Sequence, residues 1–286
     1  MRAMNTPTPS SGAATSAGGG AFLFSQESPR HRYLWLGPSS GAEHDESVQV
    51  NQYAVEHEGR VVLLDPGGVL TFPQVVTALC RVYTLDQVKA LFLSHQDPDV
   101  SSGIAMWLQV TGARAYVSRH WLRFLPHFGL FDTRRLVPLE DHGGTLSFGD
   151  PGDPSARGTS LRVVPAHFMH SPANFNVYDP VSRILFSGDI GTAVLPSDQS
   201  GPASFMTEDF ASVRPYMTAF HQRYMASRAA CRQWAAQVER LEVDILAPQH
   251  GVILRGAAVP AFLAWLRDLE CGTDRLAQLY EGGAHV

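Results

Sequence analysis

Cysteine is scarce in this sequence. The 286 residues include three cysteines, Cys80, Cys231 and Cys271, which lie far apart and show no spacing typical of a metal site. An odd and scattered set of this kind gives no disulfide framework and suits a reduced cytoplasm. We therefore interpret all three as small buried hydrophobic residues and expect a cytoplasmic protein.

Basic clusters and long apolar runs are also missing. Lys and Arg number 22 against 27 Asp and Glu and form no block, so we expect neither nucleic acid nor an anionic membrane as a partner. No apolar stretch is long enough to span a bilayer. The chain has no Walker loop and no G-x-G-x-x-G pattern, which leaves nucleotide binding without support.

The first residues differ in composition from the rest of the chain. Residues 1–20 are rich in Thr, Pro, Ser, Gly and Ala and offer almost nothing to a core, so we predict a disordered tail. Order should begin near Ala21, and residues 21–286 are predicted to form a single domain. Since 44% of the chain is hydrophobic, a large core is available.

Strand and helix patterns alternate along this domain. Short apolar or alternating runs beside turn signals predict strands at 47–55, 60–65, 88–94, 113–118, 161–166, 174–178, 183–186 and 243–249. Helical spacing covers 72–83, 101–110, 120–128, 212–241 (as one helix or two) and 260–269, whereas 143–158 is rich in loop residues. The order favours a layered α/β sandwich with a site along one edge.

The most informative segment is His95-Gln96-Asp97-Pro98-Asp99, which follows the predicted strand at 88–94. Metal-binding side chains stand there at every second position. A strand that ends in such a loop directs several ligands to one place beyond its end, and Pro98 stiffens the loop. We therefore expect His95, Asp97 and Asp99 to bind metal.

Three later strands end in the same kind of residue. The strand at 161–166 leads to His170, the strand at 183–186 leads to Asp189, and the strand at 243–249 leads to His250. A lone His or Asp after a strand is usually an ordinary loop residue. Six of them at four strand ends instead indicate one shared site at the edge of a sheet, with enough ligands for two metals.

These residues resemble the metallo-β-lactamase superfamily, whose ligands follow the order H-x-H-x-D-H, a distant His, a bridging Asp and a last His. The resemblance covers roughly residues 45–256 and implies a four-layer αββα sandwich. It also implies that His95, Asp97 and His170 hold a first metal, that Asp99 and His250 hold a second, and that Asp189 bridges them.

Two departures from that motif bear on the metal. Asp97 stands where the zinc hydrolases have His, which resembles the diiron branch of flavodiiron proteins and their oxygen-binding relatives. Carboxylate-rich sites suit iron or manganese better than imidazole-rich sites do. Val100 stands where many relatives have His, which removes a nitrogen ligand from the second metal and leaves a position open.

The resemblance therefore implies a non-haem diiron protein that binds dioxygen as a sensor or carrier, or that reduces it with a separate electron donor. We expect two iron ions, with zinc or manganese as alternatives, and no flavin in this chain. Enzymatic activity stays open. The oxidoreductase interpretation takes dioxygen or nitric oxide as substrate, and the less favoured alternative is a hydrolase of an ester, thioester, lactone or phosphodiester. A signalling protein and a second copy of the chain are the other expected partners.

Six further residues have an interpretation outside the predicted ligand set. Met217, Phe220 and Tyr224 recur at helical spacing, which favours a core-facing stripe, yet Tyr224 can also donate a hydrogen bond toward dioxygen. Asp65 either caps a turn or orients a ligand histidine. His167 and His120 are interpreted as solvated surface residues.

Overall fold

The computed structural model describes residues 20–39, 50–149, 159–196 and 205–281. The predicted disordered tail lies outside these ranges except for Gly20. The first residues of the predicted strand at 47–55 and the second half of the loop predicted at 143–158 also lie outside them. Within the described ranges, no helix is both long enough and apolar enough to cross a lipid bilayer.

The first sheet contains seven strands that lie side by side in the order of the sequence. They are β1 (Ala21–Glu27), β2 (Arg30–Ser39), β3 (Val50–His57), β4 (Arg60–Leu64), β5 (Val88–Phe92), β6 (Arg114–Ser118) and β7 (Leu136–Leu139). Strands β1 to β4 are antiparallel neighbours, whereas β4 to β7 run parallel. The carboxyl ends of β4, β5 and β6 therefore share one edge.

The second sheet has the order β12-β14-β13-β11-β10-β9-β8. Its strands are β8 (Gly144–Ser147), β9 (Ser160–Pro165), β10 (Phe175–Asp179), β11 (Ile184–Gly188), β12 (Met206–Thr207), β13 (Ile245–Pro248) and β14 (Ile253–Arg255). Strands β11 and β13 are parallel, and β10 is antiparallel to both β9 and β11. The carboxyl ends of β9, β11 and β13 therefore also share an edge.

The described residues contain seven α-helices. They are α1 (Phe72–Cys80), α2 (Pro98–Ser101), α3 (Ile104–Val110), α4 (Phe210–Tyr224), α5 (Arg228–Val238), α6 (Ala258–Asp268) and α7 (Leu276–Glu281). Buried residues of α1 and α3 pack on the first sheet, those of α4, α5 and α6 pack on the second, and a third cluster fills the space between the sheets. The predicted four-layer αββα sandwich is confirmed.

The sequence explains how this packing forms. Strand β11 is buried at every position and begins with the apolar run Ile184–Phe186, as expected for a strand that is covered on both faces. Helix α5 buries Cys231, Trp234 and Val238, at spacings of three and four residues that place them on one face. Asp209 caps α4 by accepting a hydrogen bond from the Ala211 amide.

The two sheets are joined directly at the edge where these carboxyl ends lie. The Asn51 amide of β3 donates to the Gln249 carbonyl at 2.6 Å, and the Phe175 amide of β10 donates to the Ser94 carbonyl at 3.1 Å. The Tyr53 hydroxyl donates to the Pro248 carbonyl at 2.8 Å. Strand ends of both sheets are thus held in register where the candidate ligands follow them.

Some local predictions were wrong or incomplete. The predicted helix at 120–128 is a 3-10 helix, Arg119–Phe128, which contains Pro126. The segment predicted as loop at 143–158 contains β8. The sequence did not identify β1 and β2 as a hairpin. The predicted segment at 212–241 forms two helices, one of the two alternatives.

Candidate metal centre

Four of the six predicted ligands form one compact cluster. His95 follows β5, His170 lies in the loop after β9, Asp189 follows β11, and Asp97 lies at the start of α2. One potential ligand atom of each lies within 4.8 Å of the others. His170 Nε2 is 3.0 Å from Asp97 Oδ2 and 3.4 Å from Asp189 Oδ2.

The other two predicted ligands, Asp99 and His250, lie next to this cluster. His250 Nε2 is 3.2 Å from Asp99 Oδ2 and 3.7 Å from Asp189 Oδ1. His95 Nε2 in turn is 3.9 Å from Asp189 Oδ1. Asp189 therefore contacts all three histidines, and the structure brings together all six predicted residues.

Three buried atoms of this cluster, His170 Nδ1 among them, are left without a hydrogen bond. The other two are His95 Nε2 and Asp189 Oδ1, with which none of the described residues forms a hydrogen bond. An unsatisfied buried polar atom costs about 1–3 kcal/mol. Because metal–ligand bonds are about 2.0–2.2 Å long, two ligands of one ion lie within roughly 4.4 Å of each other. The separation of 3.9 Å between His95 Nε2 and Asp189 Oδ1 fits a shared ion.

The charges of the cluster also suit a cation. Burial alone lowers the pKa of His95, but the neighbouring Asp189 and Asp97 outweigh it and raise the pKa to about 9. Burial opposes ionisation of Asp97, yet the hydrogen bond from His170 and the nearby ring of His95 hold its pKa well below the ordinary value. Asp97 thus stays ionised at neutral pH, as a carboxylate that binds metal must.

The loop after β9 delivers His170 in an unusual conformation. His170 has φ of +69° and Phe168 has φ of +63°. Such left-handed backbone at a non-glycine residue costs of the order of 1–3 kcal/mol and persists where the surroundings impose it. The Phe168 amide donates to the Ser171 carbonyl at 2.9 Å, and the Asn174 side chain donates to the Met169 carbonyl at 2.7 Å.

His95 is oriented by a pair of buried residues. The Ser94 hydroxyl lies 2.8 Å from His95 Nδ1 and donates to Asp65, which also accepts from the Ser94 amide at 2.7 Å. This arrangement assigns the Nδ1 proton to the bond with Ser94, so Nε2 is available to a metal. Burial raises the pKa of Asp65 to about 7. Asp65 thus orients the candidate ligand His95, but through Ser94.

Two supporting residues were missed by sequence analysis. Gln249 donates from Nε2 to Asp99 Oδ2 at 3.2 Å. The buried His221 of α4 accepts a hydrogen bond from the Gly191 amide at 3.0 Å and contacts the Met217 carbonyl at 2.8 Å. Burial lowers the pKa of His221 to about 4, so the ring is neutral and holds the loop after Asp189. The position of Gln249 next to His250 could have indicated its supporting role. No sequence pattern indicated that His221 contacts the loop after Asp189.

The aromatic stripe of α4 has a mixed environment. Met217 is buried in the core, as the core interpretation predicts. The ring of Phe220 stacks on His170 with centroids 5.7 Å apart, and the Tyr224 ring lies 5.4 Å from His170. Tyr224 is 52% exposed, so its ring borders the site at the surface.

The remaining candidates lie outside the cluster. Val100 is fully buried in the apolar cluster between the first sheet and its helices. His120 is exposed, with Nε2 3.1 Å from Asp141 Oδ1, and His167 Nε2 contacts the Asp141 carbonyl at 2.7 Å.

Comparison with known proteins gives consistent results. The family model described as ODP family beta lactamase matches residues 48–251. A structure described as the peroxy diiron species of chemotaxis sensor ODP is 43% identical, with a TM-score of 0.76, and the match covers 91% of this chain and 99% of that chain. The apo state of chemotaxis sensor ODP from T. denticola gives the same identity and TM-score, with 91% of this chain and 98% of that chain covered.

A more distant structure shows likeness of fold alone. Rubredoxin oxygen:oxidoreductase from Desulfovibrio gigas is 15% identical, with a TM-score of 0.69, and the match covers 82% of this chain and 59% of that chain. The comparison with curated proteins finds no match.

Proposed function

This chain belongs to the ODP family of β-lactamases, and from that premise we propose that it is a non-haem diiron protein that binds dioxygen. The observation that carries the proposal is the position of Asp189. Its carboxylate lies 3.9 Å from His95, 3.4 Å from His170 and 3.7 Å from His250. This position would suit a carboxylate that is shared between two metal ions.

The ligand set favours iron over zinc. His95, Asp97 and His170 would hold the first iron, Asp99 and His250 the second, and Asp189 would lie between them. Half of these ligands are carboxylates, which suit iron better than an imidazole-rich set does. Three carboxylates against two divalent ions leave a net charge of about +1 (4 − 3).

The protein residues define how dioxygen would reach such a centre. Iron at this site would supply the redox chemistry that dioxygen binding requires. The side chains of His95 and Asp189 are nearly fully buried, whereas the side chains of Asp97 and Asp99 are 34% and 40% exposed. The solvent side of the cluster therefore lies along these two aspartates, and the rings of Phe220 and Tyr224 border it beside His170.

We further propose that the protein is a sensor. The 43% identical relative is described as a chemotaxis sensor, which favours sensing over reduction and makes a signalling protein the expected partner. An electron donor and a second copy of the chain are alternatives. We propose a cytoplasmic location, because the three cysteines are free.

Metal analysis combined with spectroscopy tests this function. Protein purified from cells supplied with both iron and zinc is expected to carry about two irons per chain, the number that this ligand set accommodates. The reduced protein should develop a near-ultraviolet absorption band when air is admitted. The same protein stripped and reloaded with zinc serves as the control and should show no such band. Zinc as the native metal, with a colourless spectrum in air, would indicate a hydrolase instead.

The Tyr224→Phe variant tests the proposed role of the Tyr224 hydroxyl. Loss of one hydrogen bond, about 0.5–1.5 kcal/mol, should weaken dioxygen binding by roughly 2- to 13-fold. The dissociation constant for dioxygen is measured from the change in the near-ultraviolet absorption band. Tyr280→Phe is the matched control, since Tyr280 is 84% exposed in α7. An unchanged dioxygen affinity and spectrum in Tyr224→Phe would exclude the hydroxyl from the site.

A further inference from the structure

Two of the three cysteines face each other inside the second half of the sandwich. Cys231 lies in α5, and Cys271 directly precedes the 3-10 turn Gly272–Arg275 that follows α6. Their sulfur atoms are 3.7 Å apart, although the residues are 40 positions apart in sequence. Both are fully buried, whereas Cys80 is exposed. The sequence interpretation as separate small hydrophobic residues was therefore wrong for Cys80 and incomplete for the pair.

The geometry and charges around the pair suit oxidation. A disulfide of about 2.05 Å requires the sulfur atoms to approach by roughly 1.7 Å, a small shift of the turn that carries Cys271. The hydrogen bond with Cys231 lowers the pKa of Cys271, with further help from Arg228 and Arg275, while the same bond raises the pKa of Cys231. The two arginines, together with the position of Cys271 at the start of the turn, favour Cys271 as the attacking thiol.

We infer that Cys231 and Cys271 form an oxidisable dithiol that closes to an intrachain disulfide when the protein meets hydrogen peroxide. The Cys271 thiolate attacks one peroxide oxygen, the O–O bond breaks, and with one proton the products are a sulfenic acid and water. Cys231 then attacks the Cys271 sulfur, and its proton leaves with the hydroxyl as a second water. Two thiols and one peroxide give one disulfide and two waters.

Local opening gives peroxide access to this buried pair. The turn after Cys271 is held by the Thr273 amide, which donates to the Ala226 carbonyl at 2.8 Å, and by the Arg228 amide, which donates to Asp274 at 2.6 Å. Helix α7, which follows, has no buried residue within its described span Leu276–Glu281. Thr273 and Asp274 are exposed, so local opening that breaks these hydrogen bonds would expose Cys271.

The turn is also connected to the candidate metal centre. The Ala226 carbonyl accepts from Thr273, and the Ala226 amide donates to the Phe168 carbonyl at 3.1 Å. Phe168 lies in the left-handed loop that delivers His170. Closing the disulfide should therefore fix this loop as well. This coupling rests on the proposed function, whereas formation of the disulfide does not.

Thiol mapping tests the pair in a Cys80→Ser background, which removes the exposed thiol. After hydrogen peroxide and quenching, the full-length protein should lose two alkylatable thiols and yield one proteolytic fragment that links Cys231 to Cys271. Dithiothreitol should restore both thiols. Samples with and without bound metal should behave alike, so the result does not depend on the metal centre. Two intact thiols, a sulfinic acid at Cys271 or links between chains would overturn the inference.

Melting and hydrogen exchange provide the second measurements. Oxidation should raise the Tm by roughly 5 °C, because the disulfide constrains a long loop of the unfolded chain. The same treatment should leave the Tm of a Cys80→Ser, Cys231→Ser variant unchanged. Amides of the Phe168–Ser171 loop should exchange more slowly after oxidation of the metal-free protein. Unchanged exchange there, with the disulfide formed, would overturn the coupling.

Discussion

The Asp189→Ala variant is expected to bind iron more than about 100-fold more weakly than the parent protein. This loss exceeds the roughly 10- to 100-fold loss that is usual when a residue hydrogen-bonded to a metal ligand is replaced. Asp189 is the carboxylate that contacts all three histidines. Its removal leaves two carboxylates and raises the charge of a diferrous cluster from about +1 to about +2 (4 − 2). Iron content per chain after desalting, and the air-dependent near-ultraviolet band, measure the effect.

Two further variants make this test specific. Asp189→Asn keeps the shape of the side chain but removes its charge, so a loss of iron there separates charge from packing. Asp141→Ala is the matched control, because Asp141 is an exposed aspartate that pairs with His120 away from the cluster. It should retain the parent iron content. Full iron occupancy in Asp189→Ala would contradict the assignment of Asp189 as a shared ligand.

The candidate ligands were predictable because strand ends can be read from sequence. Strands β5, β11 and β13 are short apolar runs, and the residues that follow them are fixed in space once the sheets form. The two residues Asp97 and Asp99 then follow from the alternation in their loop. In addition, the ligand order along the chain carries the family resemblance. No comparable pattern reveals which atoms within the cluster contact each other.

Contacts between distant helices were not predictable from the same patterns. His221 lies on α4, thirty positions from the Gly191 amide that it holds. The Cys231 and Cys271 sulfurs meet only because α5 packs against the end of α6. The hairpin of β1 and β2 was missed because Arg30, His31 and Arg32 interrupt its apolar pattern. His31 is buried by a partner in the other sheet, which local sequence does not show.

Asp179 lies at the edge of the sandwich opposite the metal centre. We expect Asp179→Ala to lower the free energy of unfolding by about 3–5 kcal/mol. Asp179 of β10 is fully buried and lies 2.7 Å from Nε2 of His31 in β2, so this pair joins the two sheets. It also accepts hydrogen bonds from the Val181 amide and the Ser182 hydroxyl. Alanine leaves these buried donors unsatisfied. Urea unfolding of the metal-free protein measures the loss.

Three comparisons separate the broken pair from other causes. Asp132→Ala is the matched control, since Asp132 pairs with Arg134 at the surface and its loss should not shift the urea midpoint measurably. The double variant His31→Phe, Asp179→Leu should recover the part of the lost stability that comes from His31, because the buried imidazole without its partner is removed as well. Iron content should stay at the parent value in Asp179→Ala, because the pair is remote from the ligands. A decrease in the free energy of unfolding below about 1 kcal/mol is what an exposed ion pair contributes. Such a small decrease would show that the His31–Asp179 pair does not stabilise the packing of the two sheets.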